Sequence, residues 1–566
     1  MDRSELETEF EDMGLSIPAT IIDECVIICI THKISASDLV GSWVAYCASS
    51  QLDANDLNKE KLSTLIKTFK IADEHKLNEK KYDGRKSIDV KPNLNELSRI
   101  QSNSPVTKKN LPGTDFIKIE NEFSVSNIID GTEIKQEYLH SSSGDIVCDY
   151  GRGNMDTNAP AIAVTSFQIF NQESWKHFIF GKVNYSRFDD YVQELVNDIV
   201  QKNKLPGVTP LSEMYYAADD TEITISGSLK LMKKEMFLSS SYGYVKLDFS
   251  EAGHVQPLFM NQIAVVTGTN PDTKAFKVKK IFTNAMLPLP TEIPNISRGN
   301  LNMIIAAGPF FSESSPHGTF LKSLVQKAIE FRVAVLILLG PLFETDFGIQ
   351  LNKAGSDSLQ KCYDDILEAI LSPLFSHSEI GYTKVIVLSS WKDVGSYAFY
   401  PTPPNMESRL LTLFPKNFFV ASDPSVFEIN NVIIAANTSD TLMDLHVSSI
   451  NQSPDELCAK LSKHIVWQRS LHPSYTASPT VPIDQSLWLE HCSLKKNTPH
   501  IVVTCSQLRT FIRAVEGCLV INTGQLVKHN SQKQDITGTY SKIQLCPPKD
   551  NQWSPETNVS VEIIHI

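Results

Sequence analysis

Three apolar runs in the second half of the chain stop at residues placed where a layered enzyme keeps its chemistry. Met303 to Ala307 runs into Gly308-Pro309, Val333 to Leu339 into Gly340-Pro341, and Lys384 to Ser389 into Ser390-Trp391-Lys392-Asp393. In open α/β sheets the reacting groups sit just beyond the carboxyl ends of strands. Carboxylates and imidazoles are the residue types that would hold a metal ion or move a proton there. Only Glu344 and Asp393 answer to that description, while Pro341, Trp391 and Lys392 occupy the neighbouring places. The layout is that of an enzyme with its polar groups mostly missing. Other chemistry-bearing patterns are absent. There is no P-loop and no Cys-x-x-Cys, and Gly151-Arg152-Gly153 is a lone glycine pair, not a nucleotide fingerprint. Cys25 and Cys29 share one face of a helix, where core packing is the expected use.

The elements that must position these ends follow from periodicity. Short, β-branched, apolar runs cut off by turn residues read as strands buried on both faces. Helical spacing fills the gaps at 320–331 and 359–371, so the strands are expected to be parallel, with right-handed crossovers. Further strands are expected at 418–420, 432–436, 500–504, 518–522 and 559–564, with a helix at 455–468.

At 566 residues, two to four domains are expected. Residues 1–72 read as a small helical, protein-docking domain. Residues 73–160 read as a flexible polar linker with basic spots at Lys80-Lys81, Arg85-Lys86 and Lys108-Lys109, and with Ser104-Pro105 as a candidate phosphorylation site. Residues 161–297 hold a helix at 189–200 and several short strands, which suggest an OB-type barrel. Its aromatics Phe237, Tyr242, Tyr244 and Phe249 are expected in the core. Residues 298–566 form the layered α/β domain. The fold class is therefore multidomain α+β. A net charge of −13 argues against nucleic acid as the main partner unless one face is locally basic. No apolar run is long enough to span a membrane. The acidic start, MDRSELETEFEDMG, reads as neither a signal nor a transit peptide.

The strand series resembles a calcineurin-type metallophosphoesterase. That family holds two metal ions with Asp-x-His, Gly-Asp-x-x-Asp and Gly-Asn-His-Asp/Glu after successive strands, and with further histidines after later ones. This chain departs at nearly every position. Ala306-Ala307-Gly308-Pro309 offers no ligand, Pro341 stands where the bridging aspartate belongs, and Trp391 and Lys392 replace Asn and His. Asn437 and Cys505-Ser506-Gln507-Leu508 stand at the later histidine positions. A lysine ammonium in a two-metal pocket would repel the ions. Glu344 and Asp393 alone cannot hold a dinuclear site, so no metal, cofactor or catalytic residue is expected.

A barrel followed by an inactivated phosphoesterase resembles the B-subunit family of the replicative DNA polymerases, and within it the branch of polymerase alpha–primase. The resemblance rests on Ile305 to Phe310, Leu338 to Phe343, Lys392-Asp393-Val394, Tyr400-Pro401-Thr402-Pro403-Pro404, Gln468-Arg469-Ser470 with Pro473 and Tyr475, and Ser506 to Arg509 with Gly517-Cys518. It implies a non-catalytic nuclear scaffold. Such a scaffold grips the C-terminal domain of the catalytic polymerase subunit, joins the primase subunits through it, recruits other replication factors through the helical domain, and contacts DNA weakly or indirectly. Two rival readings stand beside it. One is an active phosphodiesterase with atypical ligands, for which His446, His464, His472 and His491 could supply nitrogen. The other is an OB-fold single-strand DNA binder.

Overall fold

Residues along the central strands alternate between two separate cores, and this explains why their sequence is apolar without a break. The structure, a computed structural model, describes residues 143–566 with short gaps and scattered positions among the first 43. Two compact units are present, Met1–Asn110 and Leu111–Ile566. In the first, the described positions Leu6, Phe10, Ile21, Ile22, Cys25, Cys29, Leu39, Val40 and Trp43 are helical and buried.

The second unit contains a seven-stranded sheet of β1 (Ile146–Tyr150), β20 (Val559–His565), β19 (Thr539–Leu545), β8 (Leu301–Ala307), β9 (Val335–Leu339), β10 (Lys384–Leu388) and β11 (Phe418–Ala421), in that order. Strands β8 to β11 are parallel, as the strand–helix alternation requires. Met303, Ile305, Val335, Ile337, Ile386 and Leu388 point into a core between two sheets. Ile304, Ala306, Leu336, Leu338, Val385 and Val387 point the other way, against the helices Thr319–Glu330 and Leu359–Ser376.

A six-stranded sheet faces the first across the shared core. Its order is β15 (Phe511–Val515), β16 (Cys518–Asn522), β14 (Ile501–Thr504), β13 (Val432–Ala436), β12 (Ser425–Ile429) and β2 (Phe167–Ile169). Its outer face is covered by the helices Thr441–Val447 and Leu457–Trp467. A small hairpin, β17 (Val527–His529) with β18 (Asp535–Thr537), lies beyond β16 in sequence. The two parallel strand sets therefore stand back to back between helical layers, and their carboxyl ends are the place to look for chemistry.

The remaining strands close a barrel in the order β3 (Ile223–Met232), β4 (Glu235–Ser240), β5 (Gly243–Asp248), β7 (Phe276–Phe282) and β6 (Ile263–Thr269). Helix Tyr185–Asn203 packs Leu195, Val196 and Ile199 against Ile263, Val265 and Ala285 beside it. The amide of Gln468 binds the backbone of Ile263 and Thr283, and the buried Arg469 guanidinium binds the Ala285 carbonyl and Asp198. These contacts join the barrel to the sandwich.

Several expectations need correction. Residues 73–160 were expected as linker, yet β1 within that range pairs with β20, and the Asn300 N–H donates to the Pro160 carbonyl. The strand is short and half polar, so nothing local marks it; the exposed edge of β20 recruits it. Residues 161–297 were expected as one barrel domain, yet β2 pairs with β12 in the six-stranded sheet. The aromatics expected in the barrel core divide. Phe249 packs against the core from a half-buried position, Tyr244 is 67% exposed and Phe237 lies against it, while Tyr242 is outside the described residues.

Candidate functional site at the strand ends

The ends of β8, β9 and β10 lie side by side, so Pro309, Pro341 and the turn 390–393 meet as the sequence implies. They meet tightly. A Cβ on Gly308 would lie 1.8 Å from the Pro341 carbonyl oxygen, and one on Gly340 would lie 2.8 Å from Ser390 Cβ and 2.9 Å from Asp393 Oδ2. Glycine is required at both places because the neighbouring loops use the space. Phe310, Phe311 and Phe343 are buried just beyond, with the rings of Phe311 and Phe343 stacked at 4.1 Å.

The Asp393 carboxylate belongs to this packing. Its Oδ1 accepts hydrogen bonds from the backbone N–H groups of Leu342 (2.8 Å) and Phe343 (2.9 Å), across 51 and 50 residues of sequence. A carboxylate in that position ties the loop after β9 to the turn after β10. Trp391 is half-buried against the cluster of Tyr400, Val481, Trp488 and Cys492. Lys392 is exposed, its Nζ 5.3 Å from the Trp391 ring centre. Glu344 lies outside the described residues.

Across the crevice the ends of β13, β14 and β16 are polar and satisfied from within. Asn437 donates to Thr441 Oγ1 (2.8 Å) and the Leu471 carbonyl (2.7 Å) and accepts from Ser439 (3.0 Å). Asp440 caps helix Thr441–Val447 by accepting from the Met443 N–H (3.0 Å), and it also accepts from the Gln507 N–H (3.0 Å) and the Ser506 hydroxyl. Asn522 accepts from the Ser506 N–H (2.8 Å) and donates to the Leu508 and Arg509 carbonyls. Asp423, fully buried after β11, accepts from both the N–H and the hydroxyl of Thr438. Burial pushes its carboxyl up to about 7, against the pull of the Thr438 bonds. Burial raises Asp440 as well. Cys505 is raised first by burial and then by Asp440 and Asp423, with Lys392 opposing, so charge from the first wall reaches the second.

The histidines of the rival hydrolase reading do not assemble. His472 sits behind Asn437, its Nδ1 2.8 Å from Thr441 Oγ1, and burial pushes its pKa down to about 3. His464 lies edge-on to Phe259 (4.7 Å) and His491 stacks on Trp175 (3.9 Å), both pushed down to about 3, chiefly by burial. Among the described residues no three His, Cys, Asp or Glu side chains are gathered as a metal site would need. Sequence reasoning missed Asp423 and the capping role of Asp440. The signal for Asp440 was present as Asp before a helical run; Asp423 had none, since its partner Thr438 comes from another strand end.

The family model for the B-subunit of DNA polymerases alpha and epsilon matches residues 303–513, which contain the first wall of this crevice and, of the second, the ends of β13 and β14. A second model, for the N-terminal part of the DNA polymerase alpha B-subunit, matches residues 4–69. The chain is thus similar to the B-subunit family of DNA polymerase alpha over both matched stretches. The DNA polymerase alpha B-subunit of Mus musculus is 21% identical over an alignment covering 96% of this chain and 95% of that protein. Its Bos taurus counterpart is 22% identical, covering 90% of each chain. That of Caenorhabditis elegans is 28% identical over 53% of this chain and 50% of its own. An archaeal phosphodiesterase of known structure aligns with 47% of this chain and 100% of its own at 9% identity and a TM-score of 0.23, a likeness too slight to carry an argument.

Proposed function

We propose that this chain is a member of the polymerase alpha B-subunit family and a non-catalytic accessory component of the polymerase alpha–primase assembly. It acts in the nucleus by gripping the C-terminal domain of the catalytic polymerase subunit, and joins the primase subunits through it. The observation that carries this reading is the filled crevice. The groups at the strand ends where a calcineurin-like phosphoesterase would hold its ions are Pro341, Trp391, Lys392, a loop-tying Asp393 and the closed network of Asn437, Asp440 and Ser506. Activation of a water by paired metal ions needs ligands with lone pairs turned outward; here the described carboxylates turn theirs toward the chain's own N–H and O–H groups. The barrel order, with the fifth strand between the third and fourth, supports the OB-type reading. Residues 1–72 would recruit other replication factors.

Two measurements on the full chain test the proposal. Capture from nuclear extract is expected to bring down the catalytic polymerase and primase subunits in stoichiometric amounts. Elemental analysis with a phosphodiester hydrolysis assay is expected to find neither bound metal nor turnover. Turnover with about two ions per chain would replace the scaffold by an enzyme.

A further inference from the structure

The barrel is fastened to the sandwich at three places, and the first is the end of helix Leu457–Trp467 with the two residues beyond it. The Trp467 carbonyl accepts from the Ala285 N–H (3.0 Å). The Gln468 side chain accepts from the Ile263 N–H (2.9 Å) and donates to the Ile263 and Thr283 carbonyls, while its own carbonyl accepts from the Tyr191 hydroxyl (2.9 Å). Arg469 is 3% exposed, and its guanidinium donates to the Ala285 carbonyl and to Asp198, with Glu194 at 3.6 Å. Asp198 and Glu194 belong to helix Tyr185–Asn203, which packs on the barrel and also sets Phe188 and Tyr191 against Tyr400 and Trp488 of the sandwich. Arg469 holds a φ of 50°, a left-handed conformation that a non-glycine residue keeps only where its surroundings impose it.

The second place is Phe259, from the barrel loop before β6. It is fully buried with Leu442, Leu445, Leu461 and Ile465 of the sandwich's outer helices. Beside it the Met260 N–H donates to the Ser448 carbonyl and the Ile450 N–H to the Leu258 carbonyl (2.9 Å each). The third is Glu516, at the turn between β15 and β16. Its carboxylate accepts from Asn284 (2.7 Å), Trp467 Nε1 (2.8 Å) and Lys202 (3.3 Å).

We infer that Arg469 makes the barrel and the sandwich one cooperative, rigid unit. It is a positioning residue: it fixes the barrel's orientation and ties its stability to that of the sandwich. A buried guanidinium demands carboxylate partners, and both of these come from the helix that packs on the barrel. Domains joined by linkers alone move as separate bodies. Here any opening would uncover Phe259 and part Arg469 from Asp198 and Ala285 in the same event. The rigidity is a property of this chain and does not depend on which partner it serves.

The test is hydrogen exchange of the full chain in rising urea, followed by mass spectrometry on barrel peptides (223–282) and sandwich peptides (301–307, 384–388 and 501–504). In the parent both sets should lose protection at one midpoint. Arg469→Met keeps the apolar stem and removes the charge. Barrel amides should then exchange roughly tenfold faster without urea and lose protection first, while sandwich amides hold. Glu516→Ala, a solvent-exposed change, should give a smaller split in the same direction, and its split or lack of one decides the question if the first variant does not fold. Separate midpoints in the parent would overturn the inference. So would an Arg469→Met chain whose barrel and sandwich shift together or not at all, because the residue would then add stability without fixing the barrel.

Discussion

The two walls of the crevice are closed by opposite means. At the ends of β8, β9 and β10 the space is taken by prolines, stacked phenylalanines and one carboxylate that holds two backbone N–H groups. At the ends of β13, β14 and β16 it is taken by Asn437, Asp440, Ser506 and Asn522, each bonded to its neighbours. An apolar plug tolerates little change in shape, whereas a polar one tolerates little change in charge or bonding. A site can thus lose its chemistry either by being filled or by having its lone pairs engaged, and this chain does both.

Substitutions can break that contrast. The largest effect is expected on the apolar side from Gly308→Ala, whose new methyl would meet the Pro341 carbonyl at 1.8 Å. Backbone cannot yield there without parting the ends of β8 and β9, so a loss of about 4 kcal/mol or more is expected by denaturant unfolding. A tolerated alanine would show the apolar plug to be loose.

The second effect belongs to the polar side and is one of pH. Asp423 titrates at about 7 when folded, against 3.8 for the ordinary carboxyl. The folded chain therefore holds the proton more tightly, and this residue's contribution falls as pH rises from about 4 to about 7, then stays constant. Asp423→Asn should thus gain on the parent through that window, by at most about 4 kcal/mol at neutral pH. The comparison must be a difference between the two proteins, because the buried histidines His472 and His491, pushed down to about 3, gain stability with rising pH. A difference that does not change with pH would show that Asp423 is ionised throughout.

The smallest effect sharpens the role of Asp393. Removing its side chain in Asp393→Ala leaves the Leu342 and Phe343 N–H groups without their acceptor and should cost about 3 kcal/mol. Asp393→Asn keeps one oxygen for both and should cost about 1 kcal/mol. Equal costs would mean that the charge, not the acceptor, ties the loops.

Much of the layered domain is legible without coordinates. The runs expected at 303–307, 333–339, 384–389 and 432–436 fall on β8, β9, β10 and β13 to within two residues at each end. Each is buried on both faces and so contains few polar residues. Strand β19, which lies between β8 and β20, escapes such reading because Thr539, Ser541 and Gln544 break its apolar pattern. Those residues are buried and bonded to distant partners: the Thr539 hydroxyl donates to the Thr523 carbonyl, the Ser541 hydroxyl to the Thr523 hydroxyl, and the Gln544 amide N–H to Asn302. Partners that distant leave no local trace.

The chain's own order of residues determined which strands would be apolar on both sides and which ligand types would be missing at their ends, because burial and coordination chemistry act on residue identity alone. Only the tertiary structure decided that Asp393 would serve a loop 50 residues away and that β1 would find β20. Those outcomes depend on which elements lie side by side, and hydrogen bonds and register are set by neighbours in space, not in sequence.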